Sequence, residues 1–437
     1  MSAETIFKPR RYLHFDEPVS EAAAEELATD PVRVRSWPFM PMLRCMLTVK
    51  KVKRNEAGHL ETKLKEREIC YSAHRDAAIY AYYGLRLSNA YEQLLTTKGL
   101  TSNVTAFRPD SGKCNIDFAK EAFEWIRNFG PCTALAFDIK SFFDTLDHLH
   151  LKRHWAAVLG LSKLPDDHYA VYKSLTRFAR VDREKAMQAL GISRHNPRAS
   201  NRRRLCTPEE FREKIRKGGL IEVNAKNFGI PQGSPMSAIL SNIYMLPFDE
   251  AVSAKVSSVG GLYRRYCDDM LCIVSQELSV SIEAFVMAEI ATIKLQIQEA
   301  KTLRHRFELK AHELSADKPL QYLGFLFDGN RVLLRNAGLT RFYARMRAGV
   351  QLAAATKAKA DKRRTPIEAG ADSIKRKKLN KRYSYLGGTN FISYAIRSSR
   401  QFDDEGIKKQ VRRHWRKLNT LVRKAEARLA SRRKGQP

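Results

Sequence analysis

Three carboxylates carry the chemistry of this sequence. Asp268 and Asp269 are adjacent within LYRRYCDDMLCIV, where one apolar run ends and another begins. Asp138 closes a third apolar run in TALAFDIKSFFDTLDH. A carboxylate drawn out of water without a partner costs several kcal/mol or takes up a proton. A bound cation is one device that removes this cost. Three carboxylates on neighbouring strand ends are the donor set for phosphoryl transfer on two divalent ions spaced about 3.5–4 Å apart. On a flat strand Asp268 and Asp269 would point to opposite faces. At the tip of a hairpin the turn frees at least the first to face a shared site, with Asp138 supplied from a neighbouring strand.

The elements that must position these groups are partly legible. ALAFDI reads as a short buried strand, and the runs flanking Asp268-Asp269 read as a β-hairpin with the pair at its tip. Residues 60–130 read mostly as helix, with apolar spacing in IYAYYGLRLSNAYEQLL and again in FAKEAFEWIRNF. Helical periodicity returns over 145–190, and a basic, turn-rich stretch follows from Arg194 to Arg204. Thr207-Pro208-Glu209-Glu210 has the form of a helix start, with Thr as cap and an acid three residues on. Gly229 to Pro235 reads as a loop and SAILSNIYMLPFDEAV as the helix behind it. A helix near 281–295 and a strand pair in LQYLGFLFDGNRVLL complete this part. KAKADKRRTPIEAGADSIKRKK reads as a loop between helices.

At 437 residues the chain has length for about three lobes. Its 78 Lys+Arg against 47 Asp+Glu leave a formal charge of +31, which calls for a polyanionic partner. Residues 331–437 hold 30 Lys+Arg and 7 Asp+Glu, so most of the excess sits in the last quarter. No apolar stretch approaches the ~20 residues of a membrane helix, and MSAETIFKPRRY lacks a secretory apolar segment. Nucleic acid is therefore favoured over a membrane surface, and a cytoplasmic location is expected. The seven cysteines form no CxxC pair, which argues against a zinc ribbon or a disulfide framework.

The motifs add a family to this chemistry. AFDIKSFFDTLDH resembles motif A of reverse transcriptases, GIPQGSPMSAILSNIYM resembles motif B and YRRYCDDMLCIV resembles motif C. LQIQEAKTLRHRF and LQYLGFLFDG are similar to motifs D and E, and YSAHRDAAIYAYYGLRLSNAYEQLL with FRPDSGKCNIDFAKEAFEWI is similar to the finger motifs. The likeness covers about residues 65–330 in the family's order. It implies an α+β right-hand polymerase with fingers, a palm built on an antiparallel sheet, and a helical thumb. The implied bounds are a helical N-terminal extension at 1–60, fingers at 61–133, palm at 134–330 with a fingers insertion at about 150–228, and a basic thumb at 331–437.

The same resemblance assigns roles. Asp138, Asp268 and Asp269, with the Ile139 carbonyl, would hold two Mg²⁺ ions, for which Mn²⁺ is a substitute. Phe143 matches the aromatic gate that excludes a 2′-hydroxyl. Gln232 and Gly233 lie in the Pro-Gln-Gly loop beside nucleotide and template. Lys301 would protonate the leaving pyrophosphate as general acid. Arg108 and Lys113 would clamp the triphosphate. Cys267 fills the variable position of Tyr-x-Asp-Asp without a chemical role.

The thumb, with Tyr383, Tyr385, Tyr394 and Trp415 among its cations, would track a phosphate backbone. The insertion between motifs A and B looks like those of bacterial retron-type, defence-associated enzymes, including the class-2 anti-phage group. The implied reaction is synthesis of cDNA from dNTPs on a companion non-coding RNA. Two other readings are a protein-primed, template-independent polymerase of the abortive-infection type and a non-catalytic RNA-binding protein that keeps the fold. The sequence is silent on oligomeric state.

Overall fold

The computed structural model describes residues 6–54, 58–108, 111–361 and 373–434. The chain divides into two compact units. The first comprises Met1–Ser111, Ala136–Cys272 and Val280–Leu303, and the second Gly112–Leu135, Ile273–Ser279 and Arg304–Pro437.

The first unit opens with two short helices, Glu21–Thr29 and Pro31–Arg35, and then a long ribbon. In the ribbon, β1 (Met42–Arg54) pairs antiparallel with β2 (Leu60–Tyr71), in register from Leu43↔Tyr71 to Arg54↔Leu60. This corrects two expectations, a helical N-terminal extension and helix from residue 60. The reason is physical. Met42, Leu43 and Cys70 at the root are buried, while Met46, Leu47, Val49 and Leu64 further out are exposed. A ribbon without a buried face leaves no period-two pattern in its sequence.

Strand β3 (Cys132–Asp138) begins in the second unit and ends in the first. Strand β4 (Ala179–Asp182) then runs parallel to β1, and β5 (Ile221–Val223) antiparallel to β4, in the order β2-β1-β4-β5. Strand β4 interrupts the stretch expected to be helical over 145–190, and β5 lies beyond it. Phe15, Leu43, Val181, Met187 and Ile215 close a core beneath this sheet. Thr207 caps the following turn, its hydroxyl accepting from the Glu210 amide at 3.2 Å.

The helix Ser237–Ser258 is the centre of this unit. Leu240, Ser241, Asn242, Ile243, Tyr244 and Asp249 along it are wholly buried, so neighbours surround it. The helix His74–Thr97 carries buried Tyr80, Tyr83, Leu87 and Tyr91, and both Asp16 carboxylate oxygens cap its first amides. Strands β6 (Leu262–Tyr266) and β7 (Asp269–Val274) follow and lie beside the end of β3 in the order β6-β7-β3.

In the second unit β8 (Leu303–Lys310) pairs antiparallel with β9 (Glu313–Ala316). The expected strand pair in LQYLGFLFDGNRVLL is a three-stranded meander of β10 (Leu320–Tyr322), β11 (Phe325–Phe327) and β12 (Val332–Leu334). Phe123 of the helix Asn115–Phe129 stacks on Phe327 at 4.6 Å, and Phe325 meets Phe402 edge-on. The β12 amides are completed by side chains: Asp404 accepts from Val332 N–H at 2.6 Å and Gln410 from Leu334 N–H at 2.8 Å. An otherwise open sheet edge is closed in this way. The helix Asn336–Asp361 takes in KAKAD at the start of the expected loop, whose residues 362–372 lie outside the described ones. All seven cysteines are free, and among the described residues no helix is long and apolar enough to cross a membrane.

Candidate active site

The acidic pair sits on the β6–β7 turn. Cys267 takes the left-handed conformation, φ 59°, which reverses the chain, and Asp269 is the first residue of β7. A buried network fixes this turn. Arg265, with no exposed surface, makes a two-pronged pair with Asp249: Nε to Oδ1 at 2.7 Å and Nη2 to Oδ2 at 2.6 Å. Its Nη1 donates to the Cys267 carbonyl and to Asn242 Oδ1, each at 3.1 Å. Tyr263 donates its hydroxyl to Asp249 Oδ1 at 2.7 Å. Desolvation opposes the guanidinium charge, but the Asp249 carboxylate outweighs it and holds the pKa of Arg265 above its ordinary value. Arg265, Asp249 and Asn242 carry no chemical signature in the sequence. Two basic residues in a row before Tyr266 were the available signal, since a strand with a buried face needs a partner for any cation it turns inward.

Asp138 reaches the turn through the backbone. Ile139 N–H donates to the Asp268 carbonyl at 3.3 Å, so the end of β3 lies directly against the acidic turn. On its other side Ile139 forms an antiparallel bridge with Ile297, and Gln298 N–H donates to the Asp138 carbonyl at 2.8 Å. That bridge delivers Lys301, whose Nζ stands 2.8 Å from Asp138 Oδ1. Asp138, Ile139, Asp268 and Lys301 are thus gathered from three separated stretches, and Asp269 beside them is exposed.

The donors are hard oxygens, the type that Mg²⁺ prefers. Among the described residues, however, no three His, Cys, Asp or Glu side chains are grouped closely enough to hold a metal ion. Asp138 and Asp268 share hydrogen-bonded backbone, and Asp138 is balanced by the Lys301 ammonium. Cation-seeking charge is present at this turn.

Phe143 follows a left-handed Ser141, φ 50°, on the short helix Phe142–Thr145. Phe142 is buried while Phe143 stays half-exposed, and the Phe143 carbonyl accepts from Ile230 N–H at 2.9 Å. The Pro-Gln-Gly loop is therefore tied to motif A. Its other tie is to the ribbon, where Cys70 N–H donates to the Gln232 carbonyl at 2.8 Å. Gly233 has φ 112°, and a Cβ on it would lie 2.6 Å from the Cys70 carbonyl oxygen. The close approach that requires glycine here is to β2.

Arg108 departs from expectation. Its guanidinium pairs with both oxygens of Glu92 and donates to the Val104 carbonyl at 2.8 Å and to the Thr101 carbonyl, with its side chain 5% exposed. Those donors are committed to the loop before motif A, which corrects the reading of Arg108 as a triphosphate clamp. Lys113 belongs to the second unit and pairs with Glu121. Cys267 is buried, and burial with the neighbouring Asp268 charge pushes its thiol up to about 12.

A domain model described as reverse transcriptase (RNA-dependent DNA polymerase) matches residues 85–327, more than half of the chain. The chain belongs to the reverse transcriptase family, and its fold is the α+β polymerase fold. Among solved structures it is similar to apo telomerase from Candida tropicalis truncated from its C-terminal domain: 14% identity, TM-score 0.40, over 73% of this chain and 61% of that one. Telomerase from Candida albicans in complex with a TWJ fragment of telomeric RNA gives 10% identity and TM-score 0.40, over 73% and 50%. The chain thus spans about half to three-fifths of the length of these relatives. No curated protein matches the sequence.

Proposed function

We propose that this chain is an RNA-templated DNA polymerase that makes cDNA on a companion non-coding RNA, in the manner of bacterial retron-like, anti-phage defence enzymes, in the cytoplasm. The observation that carries the catalytic part is the convergence at Asp138. Ile139 N–H lies 3.3 Å from the Asp268 carbonyl, and Lys301 Nζ lies 2.8 Å from Asp138 Oδ1. The defence role and the companion RNA rest on the motif resemblance alone.

In this reading the fingers, palm and thumb follow the bounds 61–133, 134–330 and 331–437. Asp138, Asp268 and Asp269, with the Ile139 carbonyl, would hold two Mg²⁺ ions. Bound there, such ions supply Lewis acidity toward a 3′-hydroxyl and the triphosphate. The chain's own residues do the rest. The primer 3′-hydroxyl gives its proton to solvent water and its oxygen forms a bond to the α-phosphorus while the bond to the β-phosphate oxygen breaks, and pyrophosphate departs. Lys301, released from Asp138, gives its proton to that leaving group. Phe143 leaves no space for a 2′-hydroxyl, and Gln232 with Gly233 supports nucleotide and template.

The test is the pair Asp268→Ala and Asp269→Ala, assayed by dNTP incorporation on a primed RNA. Synthesis is expected to vanish while RNA binding survives. Persistent synthesis overturns the site. Sequencing the product of the wild-type protein separates templated cDNA from the random or homopolymeric DNA of a protein-primed enzyme.

A further inference from the structure

A second site lies on the first unit, built from parts the catalytic reading does not use. A cleft of about 720 Å³ opens among the helix Pro31–Arg35, the segment after it and the helix Asp166–Thr176. Three aromatic rings line it, Trp37, Phe39 and Tyr169, along with three cations, Arg35, Lys173 and Arg177. Against these cations the lining carries one carboxylate, Asp166.

The rings are held in place. Buried Asp76 accepts from Trp37 Nε1 at 2.8 Å and from Met40 N–H at 2.9 Å, which pins the segment between them. Phe39 stacks on buried Tyr80, with centroids 5.4 Å apart and planes at 11°. Tyr169 lies on the opposite wall, 43% exposed, backed by Tyr172 at 5.9 Å and with Lys152 Nζ 4.7 Å from its ring centroid, a fourth cation at this wall. Lys173 and Arg177 follow Tyr169 at steps of four, so ring and charges share one helical face.

The cleft's cations differ from the paired arginines nearby. Arg33 pairs with Glu26, Arg44 with Glu222 and Asp182, and Arg180 with Glu68 and Glu222. Among the described residues Arg35, Lys173 and Arg177 have no carboxylate within ion-pair distance. Preorganised ring faces beside uncompensated cations match the repeat of a single strand, base then phosphate. A duplex hides its bases and would leave the rings unused.

We propose that this cleft binds single-stranded RNA, one base stacking on Tyr169 and the adjoining phosphates meeting Lys173, Arg177 and Arg35. The proposal rests on the polymerase reading only for the choice of RNA over DNA. It makes the cleft a holding point for template or companion RNA distinct from the acidic turn.

The test uses the full chain and a fluorescein-labelled, unstructured 20-nucleotide RNA, read by anisotropy across a KCl series. Tyr169→Ala is expected to weaken binding by about five- to a hundredfold, the range for losing one base–aromatic stack. Lys173→Gln with Arg177→Gln is expected to lower the slope of log K against log[KCl] by about 1.4, or about 0.7 per lost phosphate contact. Tyr169→Phe, which keeps the ring, restores wild-type affinity. Extension of a pre-annealed RNA–DNA hybrid with a two-nucleotide template overhang stays within twofold in every variant, and thermal melting is unchanged.

Affinity and slope that do not move in a folded variant overturn the proposal. So does an equal loss of short-overhang extension, which would place these residues at the catalytic site. Anisotropy reads the cleft without catalysis, so absence of dNTP incorporation by the wild-type protein would sink the polymerase reading and leave this measurement standing.

Discussion

Arg265 gives the most demanding prediction, because its structural and positioning roles can be separated. Replacing Arg265 by Leu leaves Asp249, which has no exposed surface, as an unpaired buried charge. Breaking such a pair from one side costs about 3–5 kcal/mol. The double change Arg265→Leu with Asp249→Leu removes both charges, and apolar replacement of a whole buried pair is often close to neutral. The Cys267 carbonyl and Asn242 Oδ1 lose their donor in both variants, so the double adds only the Tyr263 hydroxyl as a group without its partner. An orphaned buried polar group costs roughly 1–3 kcal/mol. Urea denaturation should therefore show a loss of about 4 kcal/mol in the single variant and recovery of part of it in the double.

Activity should not follow stability. The Arg265 donor that holds the Cys267 carbonyl is absent from both variants, so the turn carrying Asp268 is untethered in both. Nucleotide incorporation in the double variant should stay at least about tenfold down, equivalent to about 1.4 kcal/mol of misplacement. The Mg²⁺ concentration for half-maximal rate should rise as well. A double variant with wild-type rate and wild-type Mg²⁺ requirement would refute the reasoning.

Other expectations follow from single contacts. His14 is fully buried, its Nδ1 accepting from Phe15 N–H at 2.9 Å, and burial pushes its pKa down to about 3. A depressed histidine contributes stability above its unfolded pKa of 6.5 that is lost as pH falls toward 3, about 2 kcal/mol by pH 5. Asp76, which burial raises to about 7, works in the opposite sense, because its ionised form costs stability that acid relieves. The comparison must therefore be made with His14→Phe: between pH 8 and 5 the wild type should lose about 2 kcal/mol more than the variant, and parallel curves would refute this.

Gly233→Ala forces a side chain at φ 112° to within 2.9 Å of Ile69 Cγ2 and 2.6 Å of a backbone oxygen. A loss of about 1–3 kcal/mol in stability with a raised KM for dNTP is expected, and wild-type kinetics would show that the loop is not held by β2. Cys267, at about 12, should resist thiol reagents at pH 8 in the folded protein while reacting on unfolding. Rapid labelling in native buffer would contradict its burial.

Much of the candidate site was legible because it is local. Asp138 ends an apolar run, the acidic pair breaks another, and Thr207, the Pro-Gln-Gly loop and the helix from Ser237 all announce themselves within a few residues. The ribbon was illegible for the opposite reason: β1 and β2 stabilise each other by backbone pairing, with both faces largely exposed, so neither has a hydrophobic period to read. Arg108 was misread because finger cations of either role look alike in sequence. Only the fold shows its guanidinium against Glu92.

By itself the sequence determined the carboxylates, their order along the chain, the basic last quarter and the family that such motifs define. Spacing along a chain is enough for those, since each motif carries its own turn or strand signal. Tertiary structure decided which partners the groups meet: Arg265 on Asp249, Lys301 on Asp138, Gly233 against Cys70, and three cations around an aromatic cleft. Those contacts join residues up to 163 positions apart, as between Asp138 and Lys301. No local pattern encodes such pairs, because the energy that selects them is burial and charge compensation between elements that meet only once the chain has folded.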